Sequence, residues 1–263
     1  MGEVRDARCP PRIPDWGTNM KVKEYLRRKM SEGIVHMTLI DPASQEVQIS
    51  GKMAGIAERV GTDAIMVGGS TGVTQENLDA TILTIKGEVT VPVIYFPSGA
   101  HAISPHADAI YFMSMMNSRN LMMVMGEQVM GAPIVNKLGL EPISMGYLIV
   151  EPGMKVGQIG EANLIMRDDL RTAVSYGLAA EYLGMDFVYL EAGSGAPEPV
   201  PAPIIRAMKE KVSIPLVVGG GIRQPDQASM VRKAGADIVV TGTVVENGDF
   251  SDVLEEIIRA VKM

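Results

Sequence analysis

The sequence is poor in the features that mark secreted or membrane-spanning chains. Its 263 residues include one cysteine, Cys9, which cannot form an internal disulfide, so nothing indicates secretion. The first residues lack the apolar core of a signal peptide. No run of about 18 residues is apolar throughout, which predicts that no segment spans a membrane. We therefore expect a cytoplasmic protein.

Basic charge and histidine are also scarce. The formal net charge of −7 argues against a nucleic-acid partner, because such proteins carry a basic stripe. There are three histidines. His36 lies within an apolar run and is interpreted as a core residue, while His101 and His106 show no metal-binding spacing with cysteine. Hydrophobic residues make up 46% of the chain, enough for a large core.

The order of apolar runs predicts one domain. Residues 1–19 are rich in proline and form a leader, and residues 20–263 alternate short apolar runs with amphipathic segments. Eight runs are candidate strands: residues 34–40, 63–67, 91–96, 109–113, 143–150, 187–190, 215–218 and 237–240. Strands that alternate with helices predict a parallel sheet, and eight such units predict an α/β fold of the (β/α)8 (TIM) barrel type. A doubly wound open sheet is the alternative.

Two connections depart from this pattern. Residues 97–108, between the third and fourth strands, are about the minimum for a crossover, so the third helix is predicted to be missing or degenerate. Residues 151–167, after the fifth strand, form a long glycine-rich stretch without clear periodicity. Because this stretch leaves the end of a strand where barrel active sites lie, we interpret it as a lid.

Polar residues follow the first two strands. Asp41 ends the first strand and is a hard oxygen donor suited to Mg²⁺, although it could instead cap the following helix. Ser70 follows two glycines at the end of the second strand, where its hydroxyl could approach an anion or a metal. Both residues lie at the barrel end that carries active sites.

The last three strands end in signals for phosphate binding. Glu191 ends the sixth strand and is followed by Gly193-Ser194-Gly195, which suits a base beside an anion site. A structural carboxylate with a flexible turn is the alternative. Residues 219–223 (GGGIR) and 241–245 (TGTVV) follow strands seven and eight, where barrels often bind phosphate.

Methionines and lysines are given plainer interpretations. The methionine cluster at residues 113–130 is interpreted as core, with a groove for a long apolar ligand as the alternative. Lys86, Lys209 and Lys211 are interpreted as solvated residues on helix faces.

Together these motifs resemble one known family. The runs LIDP (39–42), GGS (68–70), FMS (112–114), GYLIVEPG (146–153), YLEAGSGA (189–196), VGGGIR (218–223) and TGTVVEN (241–247) are similar to those of geranylgeranylglyceryl phosphate synthases. The similarity is collinear from about Met20 to the C-terminus. The motif of the sixth strand is highly specific, whereas the glycine motifs are shared with other phosphate-binding barrels.

The resemblance implies an activity and a site. Such an enzyme transfers the geranylgeranyl group of geranylgeranyl diphosphate to the 3-hydroxyl of sn-glycerol 1-phosphate, which forms the first ether bond of archaeal membrane lipids. It implies that Asp41 and Ser70 ligate Mg²⁺ and that Glu191 accepts the hydroxyl proton. The implied glycerol 1-phosphate residues are Tyr189, Leu190, Glu191, Ala192, Gly193, Ser194, Gly195, Gly220, Gly221, Gly242 and Thr243. The resemblance also favours a homo-oligomer, and a lipid product makes peripheral membrane contact reasonable.

Some departures and alternatives remain at this point. Ala43 and Ser44 stand where many relatives have an acid, and Ser98 precedes Gly99 where relatives often place glycine directly after proline. A synthase for another chain length, such as a heptaprenyl enzyme, would keep the mechanism. A non-catalytic phosphate-binding barrel would not need Asp41 and Glu191, so the presence of both acids argues against it. A sugar-phosphate isomerase or aldolase would need a lysine or second acid at a strand end.

Overall fold

The computed structural model describes Trp16, residues 20–242 and residues 251–263. Eight parallel strands close into a barrel in chain order. The strands are β1 (Val35–Ile40), β2 (Ala64–Val67), β3 (Val93–Tyr95), β4 (Ala109–Met115), β5 (Glu141–Ile149), β6 (Phe187–Glu191), β7 (Leu216–Gly219) and β8 (Ile238–Thr241). The helices are α1 (Val22–Glu32), α2 (Val47–Arg59), α3 (Gln75–Glu88), α4 (Glu127–Leu138), α5 (Met154–Ile159), α6 (Leu170–Tyr182), α7 (Ala202–Lys211), α8 (Pro225–Ala234) and α9 (Ser251–Lys262).

Pairing between the first and last strands closes the sheet. Met37 of β1 pairs with Ala64 of β2 on one side and with Val240 of β8 on the other. The predicted (β/α)8 barrel is therefore confirmed, and the open doubly wound sheet is excluded. Within the described residues, none of the helices has the length and apolar character needed to cross a membrane.

Alternation along the strands builds two cores. Met37 points into the barrel, where it packs in one buried cluster with Tyr111 and Tyr189. Ile40 points outward and packs in a second cluster with the helices. His36 also faces outward, fully buried, with its ring nitrogens 2.9 Å from Thr62 Oγ1 and 3.0 Å from Thr241 Oγ1. Its predicted role as a core residue agrees with these contacts.

The third helix is missing, as predicted. Residues 96–108 contain no helix, and this connection lies over the barrel flank as an irregular loop. The Tyr95 hydroxyl donates to the Ala102 carbonyl at 2.8 Å, and the Ile103 N–H donates to Gln75 Oε1 at 3.1 Å. These bonds fix the loop against α3 and leave a gap between α3 and α4. After β4, a π-helical turn (Met122–Gly126) leads into α4.

Helix α1 covers the N-terminal end of the barrel. Tyr25 and Leu26 are buried in the interior cluster, and Glu141 of β5 accepts the Val22 N–H at 2.7 Å. Trp16, which belongs to the predicted leader, is also buried there, with its ring 5.9 Å from that of Tyr25. Tyr25 and Trp16 thus help to seal the end opposite the expected site.

Four aspartates link neighbouring strands at their N-terminal ends. One aspartate precedes each even-numbered strand and accepts an N–H from the preceding odd-numbered strand. Each also pairs with a lysine. The pairs are Asp63–Lys262, Asp108–Lys86, Asp186–Lys23 and Asp237–Lys209. The interpretation as solvated helix residues holds for Lys209 and Lys211, which are exposed, whereas Lys86 is partly buried in its pair with Asp108.

Candidate active site

Glu191 is the buried acid at the C-terminal mouth of the barrel. It ends β6 and lies in register between Ile149 of β5 and Gly219 of β7. Its exposure is 7%, and the Gly193 N–H donates to its Oε1 at 2.6 Å. The hydroxyls of Tyr147 and Tyr189 also form hydrogen bonds with the carboxylate. The carboxylate is therefore held in one orientation at the mouth.

Burial dominates the electrostatics of this acid. Desolvation raises the pKa of Glu191 above its usual value, and the hydrogen bonds from Gly193, Tyr189 and Tyr147 offset the rise only in part. Burial, with the charge of Glu191, likewise raises the pKa of both tyrosines, which keeps them protonated as donors. A carboxylate with a raised pKa is a stronger base, which suits proton acceptance near neutral pH.

An aromatic cluster underlies the acid. The Tyr147 and Tyr189 ring centroids are 5.2 Å apart, and Phe96 lies 5.4 Å from Tyr147 and 5.8 Å from Tyr189. Tyr147 and Phe96 were not selected from the sequence. For Tyr147 the available signal was the alternation along β5, which places it on the same inner face as Ile143 and Met145.

Two glycine-rich loops converge on Glu191. Gly193 and Gly195 on the β6–α7 loop, and Gly220 and Gly221 on the β7–α8 loop, all have positive φ. At Gly220 (φ +80°), an added Cβ would lie 2.2 Å from Glu191 Oε1. Only glycine lets the β7–α8 backbone approach the acid this closely.

The other predicted substrate residues do not all face the mouth of the barrel. Leu190 and Ala192 point their side chains into the outer core, and the Ala192 N–H is bonded to the Gly219 carbonyl at 3.2 Å. Ser194 is exposed on the β6–α7 loop and lines the mouth. Gly242 follows β8 beside Leu39 of β1. Thr243 lies outside the described residues.

Two arginines that were not selected as site residues brace the β6–α7 loop. Arg223, directly after the β7 glycines, donates to the Ala196 and Pro197 carbonyls at 3.1 and 3.3 Å. Arg167 donates to Glu198 at 2.8 Å and to the Glu151 carbonyl at 3.3 Å. The β6–α7 loop is therefore held from two sides, although it contains no regular secondary structure.

Asp41 and Ser70 lie at the same mouth, on the β1 and β2 side. Asp41 accepts the Ala43 N–H at 2.8 Å and the Ser44 hydroxyl at 3.1 Å, so it caps a turn. It does not cap α2, whose N-cap residue is Glu46. An added Cβ on Gly69 would lie 2.2 Å from Asp41 Oδ1, so the β2 loop that carries Ser70 contacts the carboxylate.

This donor set fits Mg²⁺. It offers one carboxylate and one hydroxyl, and Mg²⁺ typically keeps several waters and takes one or two carboxylates together with substrate phosphates. In the part of the chain that the structure describes, no group of three or more His, Cys, Asp or Glu could form a closed metal cage. An open site completed by a phosphorylated substrate is the arrangement that these residues support.

An apolar groove leads from the mouth into the gap left by the missing helix. The groove encloses about 1100 Å³, open solvent included. Its lining includes Ser70 and Glu191 at the strand ends, together with Ile103 of the connection between β3 and β4 and Val135 of α4. Of the methionine cluster, Met113, Met115 and Met123 line it, whereas Met125 and Met130 are exposed. The cluster is thus not simply core, and the alternative of an apolar groove holds for part of it.

The predicted lid contains a short helix that the sequence did not indicate. Helix α5 lies between β5 and α6, and Val150 and Ile165 form a parallel bridge across the base of the segment. Val156 and Ile159 of α5 line the groove. Lys155 Nζ donates to Thr71 Oγ1 at 2.6 Å, so the segment crosses to the β2 loop.

Comparisons with known proteins identify the family of this chain. The model of the PcrB family matches residues 25–262. Geranylgeranylglyceryl phosphate synthase of Picrophilus torridus is 51% identical over 243 residues, which are 92% of this chain and 100% of that protein. The synthase of Methanococcoides burtonii is 50% identical over 246 residues, again 92% of this chain and 100% of that protein.

A solved relative has the same fold. The crystal structure of (S)-3-O-geranylgeranylglyceryl phosphate synthase from Thermoplasma acidophilum, in complex with its substrate sn-glycerol-1-phosphate, superposes with a TM-score of 0.90. It is 46% identical and covers 92% of this chain and 99% of its own. The two curated relatives named above are geranylgeranylglyceryl phosphate synthases, and the chain belongs to the PcrB family.

Proposed function

We propose that this chain transfers the geranylgeranyl group of geranylgeranyl diphosphate to the 3-hydroxyl of sn-glycerol 1-phosphate. The observation that carries the proposal is the position of Glu191, a buried acid where two glycine loops meet the mouth of a long apolar groove. The glycine loops suit a phosphorylated acceptor, and the groove suits an isoprenoid tail. The names of the relatives given above describe enzymes that catalyse this type of reaction.

The acceptor half of the site is assigned to the β6 and β7 loops. Backbone N–H groups around Gly193, Gly195, Gly220 and Gly221 would hold the phosphate, as such groups do in other barrels. Tyr189 and Glu191 would contact the glycerol. Arg167 and Arg223 would stabilise the phosphate-binding conformation of the β6–α7 loop, because they donate hydrogen bonds to its carbonyls.

Glu191 would then act as the general base. The acceptor oxygen forms a bond to C1 of the prenyl group while the bond from C1 to the diphosphate oxygen breaks. The hydroxyl proton passes to the Glu191 carboxylate, and diphosphate leaves with the electron pair. Burial suits this step because it raises the pKa of Glu191, and the two tyrosines suit it because their hydrogen bonds fix the orientation of the carboxylate.

The donor half of the site is assigned to the β1 and β2 loops and the groove. Asp41 and Ser70 would hold Mg²⁺, which neutralises the charge of a leaving diphosphate when it is bound. The C20 tail would lie along Met113, Met115 and Met123 toward Val135. Methionine is suited to such a wall because its flexible side chain adapts to an apolar ligand.

A direct test is prenyl transfer by the purified chain. The assay supplies Mg²⁺, labelled sn-glycerol 1-phosphate and a ladder of prenyl diphosphates. We expect a C20 product that Glu191→Gln and Asp41→Asn abolish or strongly reduce, while Glu210→Gln, an exposed acid on α7, has no effect. A longer preferred donor would change the substrate to that of a heptaprenyl-type enzyme. Binding of glycerol 1-phosphate without transfer from any donor would refute the enzyme in favour of a binding barrel.

We also infer that the chain forms a homo-oligomer through α4. Its outer face is apolar and exposed, with Val129 at 65%, Met130 at 49% and Ile134 at 39%. Such a patch on one helix is typical of a protein interface. Sedimentation analysis should show dissociation for Val129→Glu and not for Lys52→Glu on α2. The proposal retains a cytoplasmic location, and membrane contact through this face would show instead as binding to lipid vesicles.

A further inference from the structure

Lys155 joins the two sides of the candidate donor site. It lies on α5, whose residues Val156 and Ile159 form part of the groove wall. Its ammonium group reaches across the mouth to the Thr71 hydroxyl at 2.6 Å. Thr71 directly follows Ser70, which we assign to Mg²⁺. One short helix therefore supplies an apolar wall for the tail and a cation at the end where the diphosphate would lie.

The charge balance at the mouth calls for such a cation. The charged side chains that line the groove, among the described residues, are Glu127 and Glu191, and Asp41 lies nearby. All three would repel a diphosphate. One divalent ion compensates only part of the combined negative charge of the carboxylate and the diphosphate. A further positive group at this end would therefore strengthen binding of the donor.

Lys155 differs from the two arginines near the mouth. Arg167 is neutralised by Glu198 at 2.8 Å, and Arg223 is turned toward the Ala196 and Pro197 carbonyls. Lys155 bonds to a neutral hydroxyl, and within the described part of the chain it forms no ion pair. Its charge is therefore uncompensated. An ammonium group has three donors, so it can keep Thr71 and still donate to a phosphate oxygen.

We propose that Lys155 is a ligand of the diphosphate group of the prenyl donor. The inference rests on the function proposed above and extends it, because it names a binding residue for the leaving group. The contact with Thr71 then shows that the ammonium group reaches this end of the mouth, and it is not itself required for binding of the donor. The competing explanation is that Lys155 only ties α5 to the β2 loop as a structural latch.

Calorimetric binding of inorganic diphosphate to the full chain, with and without Mg²⁺, separates these explanations. Lys155→Met should weaken binding about tenfold or more in both conditions, because a charge-assisted hydrogen bond is lost. Lys155→Arg should stay within a few-fold of the unaltered chain. Thr71→Val removes the latch but keeps the cation, so it should bind as the unaltered chain does. Lys52→Met, which removes an exposed charge on α2, is the matched control.

Turnover gives an independent measure. Lys155→Met should raise the KM for the prenyl diphosphate and leave the KM for glycerol 1-phosphate unchanged. Equal loss of diphosphate binding in Lys155→Met and Thr71→Val would overturn the proposal in favour of the latch. Unaltered binding in Lys155→Met, with normal prenyl transfer by the unaltered chain, would overturn this inference alone. If the unaltered chain neither binds diphosphate nor transfers a prenyl group, the proposed function fails with it.

Discussion

Replacing Gly220 by alanine tests how closely the β7 loop must approach Glu191. The added methyl would lie 2.2 Å from Glu191 Oε1 and 2.6 Å from the Gly193 nitrogen. The left-handed backbone at φ +80° costs an alanine about 1–2 kcal/mol. Forced displacement of packed atoms adds about 1–3 kcal/mol, the usual cost of overpacking. The free energy of unfolding should therefore fall by about 2–5 kcal/mol.

Gly195 provides a matched control for this substitution. Its φ of +76° is similar, but no atom lies within 4 Å of an added Cβ. Gly195→Ala should thus lose only the backbone component, about 1–2 kcal/mol. For a chain of this size, each kcal/mol corresponds to about 2–4 °C in Tm.

Thermal and chemical unfolding of both variants, together with prenyl transfer, completes the test. We expect Gly220→Ala to be clearly less stable than Gly195→Ala, and to lose transfer activity because Glu191 is displaced. Equal stability of the two variants would refute the argument from close approach. Full activity in a destabilised Gly220→Ala would show that the position of the carboxylate does not matter for the reaction.

Three further predictions concern pH and the groove. Because the pKa of Glu191 is raised and its base form is needed, kcat/KM should fall with decreasing pH at a higher pH than an ordinary carboxylate would give. Burial alone would raise the pKa of Asp186, but hydrogen bonds from Lys23 and Ser144 outweigh it and lower that pKa. Ionised Asp186 therefore stabilises the fold above its unfolded-state pKa, and this stabilisation is lost as pH falls through its folded-state pKa. The free energy of unfolding of Asp186→Asn, measured in the acid range, should therefore change less with pH than that of the unaltered chain. Gly131→Phe should obstruct the far part of the groove, so product analysis should show C10 or C15 donors favoured over C20.

Local patterns were enough to predict the barrel and much of the mouth. Period and spacing defined the strands, and the short connection at residues 97–108 left no room for a helix. Glu191 and the glycines after β6 and β7 could be predicted because parallel strands bring their C-terminal ends to one face of the barrel. These predictions depend only on the order of the strands along the chain, so they require no knowledge of side-chain contacts.

Contacts between distant segments could not be predicted. The hydrogen bond of Tyr147 with Glu191 depends on the register of β5 against β6, which the sequence does not specify. Helix α5 is short and interrupted by Gly157, so its period is hard to detect. Lys155 lies 84 positions from Thr71, and nothing local indicates that pair. The solvated interpretation of Lys86 failed for the same reason, since Asp108 lies beyond the next strand.

Polar contacts fix the position of α4, which forms one wall of the groove. Without a third helix, the apolar flank of β3 and β4 would be expected to collapse onto α4. The Ala100 N–H instead donates to Glu127 at 2.6 Å, and the Gln128 amide donates to the Met113 carbonyl. These bonds tie the N-terminal part of α4 to β4 and to the connection between β3 and β4, while the lining of the groove stays largely apolar. The missing helix therefore lowers the stability gained from burial and leaves the space that we assign to the isoprenoid tail.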